Sequence, residues 1–364
     1  MESLPAEIHA YIAYFTCLTD YGPTMRSFGL VSTYFAEVCG AFRYRTIALH
    51  SERSILSLAE SVQSRPSHTL NVRNMFIAYP ELATANPNLQ NKLLQLITQC
   101  APTLHSLTVD CTLSLSTSTT LFSRIFRLHF PTLLELKLAG FYPFPNSVTS
   151  SQLPHLRRLH LHGNRNPHGL LQVGNLAGSC PNLTQLHISG LSMALAFAME
   201  LAEALDTHVH PADAAIFDSP CPSPPPSPSQ YCPDSGSTIP TSIADMFSLS
   251  SPTVKFPAKL PHSVKHVVVQ PAPELEASGS EGTRGNSRTA VLKDQAMMAS
   301  LTRIVTRERA QGDGVGIDHA GAELVPDRDI KGLRYTLLPR ATRAVSSGEI
   351  YKEWKRRISG EGHW

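Results

Sequence analysis

Three histidines are the residues of this chain whose type and spacing come nearest to a chemical site. His160 and His162 are two positions apart, so a strand would place both imidazoles on one face. His187 occupies the matching position in a similar segment 27 residues further on. Imidazole is a common zinc ligand, but no cysteine or acidic residue completes the set with the spacing of a zinc site. We therefore predict no metal site, and the histidines become candidates for a binding surface.

Catalytic motifs are weak or missing in the sequence. Asp234-Ser235-Gly236 has the composition of an aspartic-protease tripeptide, but it has no second copy and lies in a proline-rich stretch. Residues 312–316 are rich in glycine, yet Ile317 stands where the GxGxxG pattern needs its last glycine. The sequence contains no GxSxG, P-loop or HExxH pattern. These observations predict a protein that is not an enzyme, with no catalytic residues and no cofactor.

Charge and cysteine content narrow the class of partner. The 364 residues carry 31 basic and 29 acidic side chains, and a formal net charge of +2 does not favour duplex nucleic acid. Seven cysteines without a CxxC pair are typical of free thiols in a reducing compartment. The N-terminus lacks the pattern of a signal peptide, and the most apolar run, residues 193–205, is too short to span a bilayer. We expect an intracellular protein, cytoplasmic or nuclear, with no membrane or nucleic-acid partner.

The strongest pattern in the chain is a repeat of the form Pro-x-Leu-x-x-Leu-x-Leu, with small variations. Its four copies occupy residues 102–109, 131–138, 154–161 and 181–188, and their first leucines are 29, 23 and 27 residues apart. A fifth copy fits residues 260–269 after one inserted residue. The last two apolar positions of the pattern are two apart, so they lie on one face of a short strand. One unit cannot cover its own apolar face, and the pattern therefore predicts units stacked into a curved solenoid.

Apolar spacing between and beyond the copies predicts further elements. The predicted helices cover residues 52–63, 88–100, 119–130, 193–205, 288–310 and 348–358, and strands are predicted at 44–49, 70–77 and 333–338. Ser192 is a candidate cap for the helix at 193–205. Residues 274–286 and 312–329 have the composition of soft segments.

Together these patterns predict an α/β fold, with a short N-terminal helical unit followed by an irregular leucine-rich-repeat βα solenoid and disordered insertions. The predicted divisions are an F-box-like helical domain at 1–45, the solenoid at 46–206, a proline- and serine-rich disordered insertion at 207–259, and C-terminal repeats with a capping helix at 260–364.

The first 45 residues have a different pattern from the repeats. The opening LPAEI, residues 4–8, begins a predicted helix in which Ile8, Ile12 and Phe15 share a face. A turn with glycine and proline follows, and then two more short helices with Ser32 as a cap between them.

This N-terminal pattern resembles an F-box, whose usual form is LPxE[IL]xxxI, a short acidic turn and an LVSxx[FW] core. With the repeats included, the whole chain is similar to fungal-type F-box and leucine-rich-repeat proteins. The resemblance implies docking on the adaptor Skp1 and presentation of a substrate to a cullin ubiquitin ligase. Carried over by position, the implied Skp1-docking residues are Leu4, Pro5, Ile8, Ile12, Leu30, Val31 and Phe35. The alternative is that these apolar residues only close a helical cap over the first repeat.

The repeats also predict a surface for the bound protein. Side chains alternate along a strand, so the residues between the core leucines face the concave side of a solenoid. The predicted substrate-binding residues on that side are Thr108, Asp110, Glu135, Lys137, Arg158, His160, His162, Gln185 and His187. The simpler alternative is a solvated sheet face, with recognition through loops or through the insertion.

The favoured function is a non-catalytic substrate-recognition adaptor of a Skp1–cullin–F-box ubiquitin ligase, which binds a protein through its leucine-rich repeats. The alternative is a repeat scaffold for protein–protein interaction without coupling to a ligase. A third class, an enzyme or a GTPase-regulating repeat protein, needs a loop arginine or a polar pocket that the sequence does not display.

Overall fold

The structure is a computed structural model of the chain, and it describes the chain in separate stretches. The described residues are 4–20, 23–40, 42, 44–63, 71–79, 87–112, 115–143, 152–209, 257–274, 284–306, 327–330 and 332–360. The predicted insertion lies outside them except at its two ends, and so do the tripeptide at 234–236 and the glycine-rich residues 312–316. None of the helices in these stretches is both long enough and apolar enough to cross a bilayer.

Three helices come first, and strands and helices then mostly alternate. The N-terminal unit contains α1 (Ala6–Asp20), α2 (Pro23–Val31) and α3 (Thr33–Gly40). The middle of the chain contains β1 (Thr46–Leu49), α4 (Glu52–Gln63), β2 (Asn74–Ala78), α5 (Pro87–Cys100), β3 (Ser106–Asp110), α6 (Leu115–Ile125), β4 (Glu135–Ala139), β5 (Arg158–His162), α7 (Leu176–Ser179), β6 (Gln185–Leu191) and α8 (Leu195–Val209). The last part contains β7 (His266–Pro271), α9 (Arg284–Thr306), β8 (Asp327–Ile330), β9 (Leu333–Leu337) and α10 (Ser347–Ile358).

All strands of the described stretches belong to one sheet. Strands β1 to β7 lie side by side in chain order and β9 pairs with β7, so eight strands are parallel. Strand β8 pairs antiparallel with β9 at the edge. The four proline-marked repeats supply the neighbouring strands β3 to β6, and the fifth copy supplies β7. The fold is therefore α/β, as predicted, and the repeats are consecutive strands of a single sheet.

One face of this sheet carries the hydrophobic core. In β3 to β6 it consists of two apolar rows in register: Leu107, Val109, Leu136, Leu138, Leu159, Leu161, Leu186 and Ile188. All eight are completely buried, and side chains of α4, α5, α6, α8 and α9 complete the same cluster. The first leucine of each repeat, Leu104, Leu133, Leu156 and Leu183, is completely buried as well. The Leu-x-x-Leu-x-Leu spacing therefore identified the core-facing residues correctly.

The residue directly before the first core leucine or valine of the repeat has a role that the pattern did not reveal. In four of the five copies its side chain donates a hydrogen bond to a backbone carbonyl of the preceding repeat. These bonds join Thr103 to Val72, Thr132 to Leu104, Asn182 to Pro154 and Ser263 to Leu183, at 2.7–3.0 Å. In these four copies a short polar side chain therefore ties the unit to the unit before it, and the carbonyl that it reaches gains a hydrogen-bond donor.

Several predicted boundaries differ from those in the structure. Helix α6 begins at Leu115, four residues earlier than expected, and α9 begins at Arg284, inside a predicted soft segment. Helix α8 extends to Val209 and Ala258 is buried, so both ends of the predicted insertion belong to the fold. Composition predicts element ends poorly because tertiary packing outweighs the small differences in local propensity.

The predicted cap at Ser192 is wrong. Its Oγ is buried without a hydrogen-bond partner among the described residues, and α8 begins only at Leu195. Met193 explains the delay, because its φ of 55° is left-handed and cannot belong to an α-helix. The predicted cap at Ser32 is present, since its Oγ accepts a hydrogen bond from the backbone N–H of Phe35 at 3.2 Å.

A buried carboxylate shapes the loop before α7. Glu200 of α8 is almost completely buried, and its two oxygens accept backbone hydrogen bonds from Gly169, Leu171 and Gln172. His168 adds an imidazole nitrogen 3.5 Å from Oε2. These donors take the place of water around the carboxylate, so the loop and α8 are held together by charge-assisted hydrogen bonds.

We expect Glu200→Gln to lower the free energy of unfolding by about 1–3 kcal/mol, because the amide NH₂ would face backbone donors and leave at least one without an acceptor. Urea denaturation measures the change. The control is Glu60→Gln on the exposed side of α4, where we expect a change of less than about 0.5 kcal/mol. Equal effects of the two substitutions would rule out this role for Glu200.

Candidate functional site

The face of the sheet opposite the core is polar along β3 to β6. We call it the polar face, and its residues are Ser106, Thr108, Asp110, Glu135, Lys137, Arg158, His160, His162, Gln185, His187 and Ser189. It contains all nine predicted substrate-binding residues. The strand register places Lys137 beside His160 and His160 beside His187. The chemistry of this face therefore comes from rows of neighbouring polar side chains.

Helix α10 packs on the polar face. Its Ile350 and Trp354, one turn apart, are completely buried in a cluster with Phe76 of β2 and Ala139 of β4. A capping box at Ser346 begins the helix, within one residue of the predicted start. The C-terminal helix is thus where the sequence predicts it along the chain, but it covers a face that was expected to be open.

Aromatic contacts anchor the N-terminal side of this interface. The ring centroid of Phe76 lies 5.4 Å from that of Trp354 and 4.9 Å from that of Tyr351. The His50 ring meets Tyr351 edge-on at 4.5 Å. Such aromatic pairs add about 0.5–1.5 kcal/mol each beyond the burial of their area. The apolar part of the attachment is therefore concentrated on β1 and β2, beside the polar face.

An ion pair joins α10 to β4. Lys137 Nζ donates to Glu353 Oε2 at 2.5 Å. The two partners differ in solvation, because the lysine side chain is 2% exposed and the glutamate side chain 44%. Burial lowers the pKa of Lys137, and the Glu353 carboxylate partly offsets this. Burial raises the pKa of Glu353, but the charges of Lys137 and Arg357 outweigh it and leave that pKa below its usual value.

Arg357, one turn after Glu353 on α10, is a second buried cation at this interface. Its side chain is only 4% exposed, and it lies 3.8 Å from carboxylate oxygens of both Glu135 and Glu353. Its Nη2 reaches Thr108 Oγ1 at 3.4 Å. Arg158 of β5 pairs with the same Glu135 at 2.5 Å. Acidic and basic groups therefore alternate across the contact between α10 and the sheet.

The three histidines form a small network on the polar face. The rings of His160 and His187 stack with centroids 3.9 Å apart and planes 10° apart. Ser189 Oγ lies 2.8 Å from His160 Nε2 and 2.9 Å from His162 Nδ1, so one hydroxyl bridges two rings. Burial lowers the pKa of all three, that of His187 to about 3. Within the part of the chain that the structure describes, no group of three or more His, Cys, Asp or Glu has the geometry of a metal site.

The nine predicted substrate-binding residues differ from the expectation of an open surface. Thr108, Asp110, Lys137 and His160 are buried, and Glu135, Arg158, His162, Gln185 and His187 are partly buried. Helix α10 contributes to this burial, because its Glu353 and Arg357 lie against Thr108, Glu135, Lys137 and His160. The sequence reasoning missed the residues on the covering side, Ile350, Glu353, Trp354 and Arg357. Their spacing of three and four residues was a visible signal of an amphipathic helix, but it carried no information about which surface the helix covers.

The N-terminal unit exposes apolar side chains. Leu30 and Val31, at the end of α2, are 87% and 68% exposed, and Leu4, Ile8 and Ile12 are also exposed. Of the twelve large apolar side chains that are exposed in the described stretches, eight lie between residues 4 and 34. Exposed apolar surface is therefore concentrated in this unit, and it includes five of the seven predicted docking residues.

A different set of residues holds the N-terminal unit together. His9, Ala13 and Cys39 are buried, and His9 Nδ1 lies 2.9 Å from the Tyr34 hydroxyl. Phe35, a predicted docking residue, is half-buried, and its ring packs against the rings of His9 and Phe28. Phe35 therefore takes part in the internal packing of the unit.

Pro5, the remaining predicted docking residue, lies just before α1. Its side chain is exposed, and its carbonyl accepts the first hydrogen bonds of the helix, from the backbone N–H groups of Ile8 and His9. A proline at this position loses no helical hydrogen bond, since the first amides of a helix have no intrahelical acceptor.

A cleft of about 370 Å³ lies at the carboxyl ends of β4 to β7. Its floor includes Gly140, Gly163 and Gly190, which occupy corresponding positions in successive repeats and all have positive φ. A Cβ on Gly140 would lie 2.7 Å from the carbonyl oxygen of Cys111, so only glycine fits. The glycines allow the backbone segments at the carboxyl ends of neighbouring strands to lie close together, which is a structural role.

In comparisons with known proteins, no family model, curated protein or solved structure matches this chain. Its functional proposal therefore depends on its own residues and geometry.

We expect the histidine network to make stability depend on pH. An unfolded histidine binds a proton below about pH 6.5, whereas the lowered pKa values keep these histidines neutral in the fold. The contribution is complete above pH 6.5 and is lost as pH falls, by up to about 1.4 kcal/mol per pH unit for each histidine. Urea denaturation between pH 7.5 and 5.0 measures this slope.

His187→Phe should reduce that slope, because phenylalanine keeps a ring stacked on His160 and cannot titrate. The control is His129→Phe at an exposed position, which should keep the slope of the unchanged chain. Identical slopes for the two variants would contradict the assignment of the pH dependence to the network.

The ion pair of α10 predicts an asymmetry between its partners. Glu353→Ala leaves the buried Lys137 ammonium without its carboxylate, and we expect a loss of about 2–3 kcal/mol, below the full range for a buried pair because Glu353 is half-exposed. Lys137→Met leaves a carboxylate that reaches water, so we expect a loss of less than about 1 kcal/mol. Thermal and urea unfolding measure both variants, and the reverse order would contradict the assigned burial.

Proposed function

We propose that this chain is a non-catalytic adaptor that binds a protein substrate through its repeats and links it to a Skp1-like adaptor of a cullin ubiquitin ligase. The N-terminal unit would contact the Skp1-like adaptor, and the leucine-rich-repeat sheet, as a solenoid, would hold the substrate. An intracellular location, cytoplasmic or nuclear, is part of this proposal. The F-box-like pattern at residues 1–45 and the repeat pattern of β3 to β7 together favour it.

The exposed apolar side chains of the N-terminal unit carry the proposal. Ile8 and Ile12 lie one turn apart on one side of α1, Leu4 lies just before that helix, and Leu30 and Val31 are more exposed still. Soluble proteins rarely concentrate exposed apolar residues in this way outside an interaction surface. Full burial of a large aliphatic side chain contributes about 1.5–3 kcal/mol, so a partner that covers these five residues gains substantial free energy.

The alternative of a simple cap over the first repeat has less support. The buried apolar residues of the N-terminal unit, Ala13 and Cys39, form a cluster separate from the core of the repeats. The exposed residues of α1 and α2 face solvent rather than β1. A cap would bury its apolar side chains against the first repeat.

One observation favours the second candidate function, a repeat scaffold without ligase coupling. The ring of Phe35 is half-buried between Phe28 and His9, so one of the implied docking residues is already engaged inside the unit. A partner that needs this aromatic side chain would find less of it on the surface. The two functions share the substrate-binding repeats and differ only in the N-terminal contact.

Binding of a purified Skp1-like adaptor to the full chain tests the proposal. We expect measurable binding, and we expect Ile8→Asp combined with Leu30→Asp to weaken it by about tenfold or more, because both charges would enter an apolar interface. Isothermal titration calorimetry measures the affinities, and circular dichroism checks the fold of each variant.

The matched control is Val173→Asp, another exposed apolar position, which lies in the repeat part and should leave the affinity unchanged. Failure of the folded, unchanged chain to bind the Skp1-like adaptor would overturn the ligase link and leave the scaffold function.

A further inference from the structure

Helix α10 contacts the polar face through one side only, as a helix from a partner protein would. Ile350, Glu353, Trp354 and Arg357 are spaced i, i+3, i+4 and i+7, which places them on one side of the helix. The same spacing is used by amphipathic helices that bind a groove of another protein. Ile350 and Trp354 pack in the cluster with Phe76. Glu353 pairs with Lys137, and Arg357 lies beside Glu135.

We propose that the polar face is a helix-binding surface that α10 occupies within its own chain, and that the substrate presents a helix of the same chemistry. That helix would carry an aromatic anchor, an acidic residue directly before it and an arginine three residues after it. This inference rests on the proposed function for the statement that the repeats bind a substrate. Binding of the substrate then requires the displacement of α10.

The connection of α10 to the sheet allows displacement. Helix α10 contributes no strand, and the sheet hydrogen bonds of β1 to β9 do not involve it. The segment between β9 and α10 is fixed before the helix begins, because Leu338 N–H donates to Val269 and Ala341 N–H donates to Pro271. Release of residues 344–358 would therefore leave every strand pair in place.

The polar face retains buried polar atoms without hydrogen bonds. Three side-chain atoms of that face, Ser106 Oγ, Gln185 Oε1 and His187 Nε2, are buried without a hydrogen-bond partner among the described residues. Each unsatisfied buried polar atom is unfavourable by about 1–3 kcal/mol. A substrate helix whose side chains reach any of these atoms would gain a hydrogen bond that α10 does not provide.

Charge makes the surface selective for this pattern. Lys137 is buried and needs a carboxylate, while Glu135 lies beside Arg357 and Arg158. A helix with only basic residues would leave Lys137 without a counter-charge, and a helix with only acidic residues would approach Glu135 unfavourably. Unpaired buried charge is a strong means of rejecting a wrong partner.

A labelled peptide of residues 344–360 tests whether the occupant can be exchanged. It is titrated against the full chain and against the full chain with Ile350→Ala and Trp354→Ala, which weakens its own helix. We expect the weakened chain to bind the peptide about 30-fold more tightly, because loss of a buried aromatic anchor removes most of the competition. Fluorescence anisotropy measures the affinities.

A charge exchange tests the recognition itself. The peptide with Glu353→Lys should bind the weakened chain about tenfold less tightly, and Lys137→Glu in that chain should restore its binding. The adjacent arginines supply the control peptides: Arg357→Ala should weaken binding, whereas Arg356→Ala, at an exposed position, should leave it unchanged.

Three results would overturn the proposal. The first is a folded weakened chain that does not bind the peptide, or binds it without regard to the charge at position 353. The second is dimerisation by exchange of α10 helices, seen by light scattering, which would assign the face to a second copy. The third is loss of fold both in the weakened chain and in a second background, Glu353→Lys, which keeps both apolar anchors; α10 would then be an obligatory part of the core.

The two functional tests remain distinguishable. Binding of the Skp1-like adaptor should be unchanged in the chain with Ile350→Ala and Trp354→Ala, since neither residue belongs to the N-terminal unit. Peptide binding should likewise be unaffected by Ile8→Asp with Leu30→Asp.

Discussion

The alternation of side chains along parallel strands in register governs the rest of this structure. Because each strand repeats the spacing of the last, a residue type at one position becomes a row across the sheet. The apolar rows can be buried only if every unit has a neighbour, which explains why the repeats follow in chain order. The remaining rows carry lysine, glutamate and histidine. Their charges and hydrogen-bonding groups need polar partners, which a hydrophobic core cannot supply.

Helix α10 satisfies these rows by complementarity of charge. Withdrawing Lys137 from water is unfavourable by several kcal/mol, and the ion pair with Glu353 offsets much of that amount without making the pair strongly stabilising. The three histidines avoid the same difficulty by remaining neutral, and His160 and His162 also share the Ser189 hydroxyl. Most of the net attachment of α10 therefore comes from Trp354 and Ile350, and the charges decide which helix can lie there.

The repeated part of the fold could be read from the sequence, because each repeat encodes its own strand and core residues within a few positions. Leu107, Val109 and their counterparts followed directly from the spacing. The placement of α10 could not be read in this way, because Lys137 and Glu353 are 216 residues apart and no periodicity relates them. Phe76 illustrates the same limit, since an aromatic residue in a predicted strand fits either face of the sheet. In the N-terminal unit, the spacing of Ile8 and Ile12 indicated a shared side of α1 but not that this side faces solvent.

The two candidate surfaces differ in what must happen before a partner can bind. The apolar side chains around Ile8 and Leu30 are exposed, so a partner there displaces only water. At the polar face, any partner must compete with a helix that is tethered to the sheet and present at a high effective concentration. The apparent affinity at this face is therefore lower than the intrinsic affinity, by the fraction of chains in which α10 has left. A change that weakens the attachment of α10 should raise the affinity of a partner for the polar face and leave binding at the N-terminal surface unchanged. Helix α10 therefore regulates only one of the two contacts.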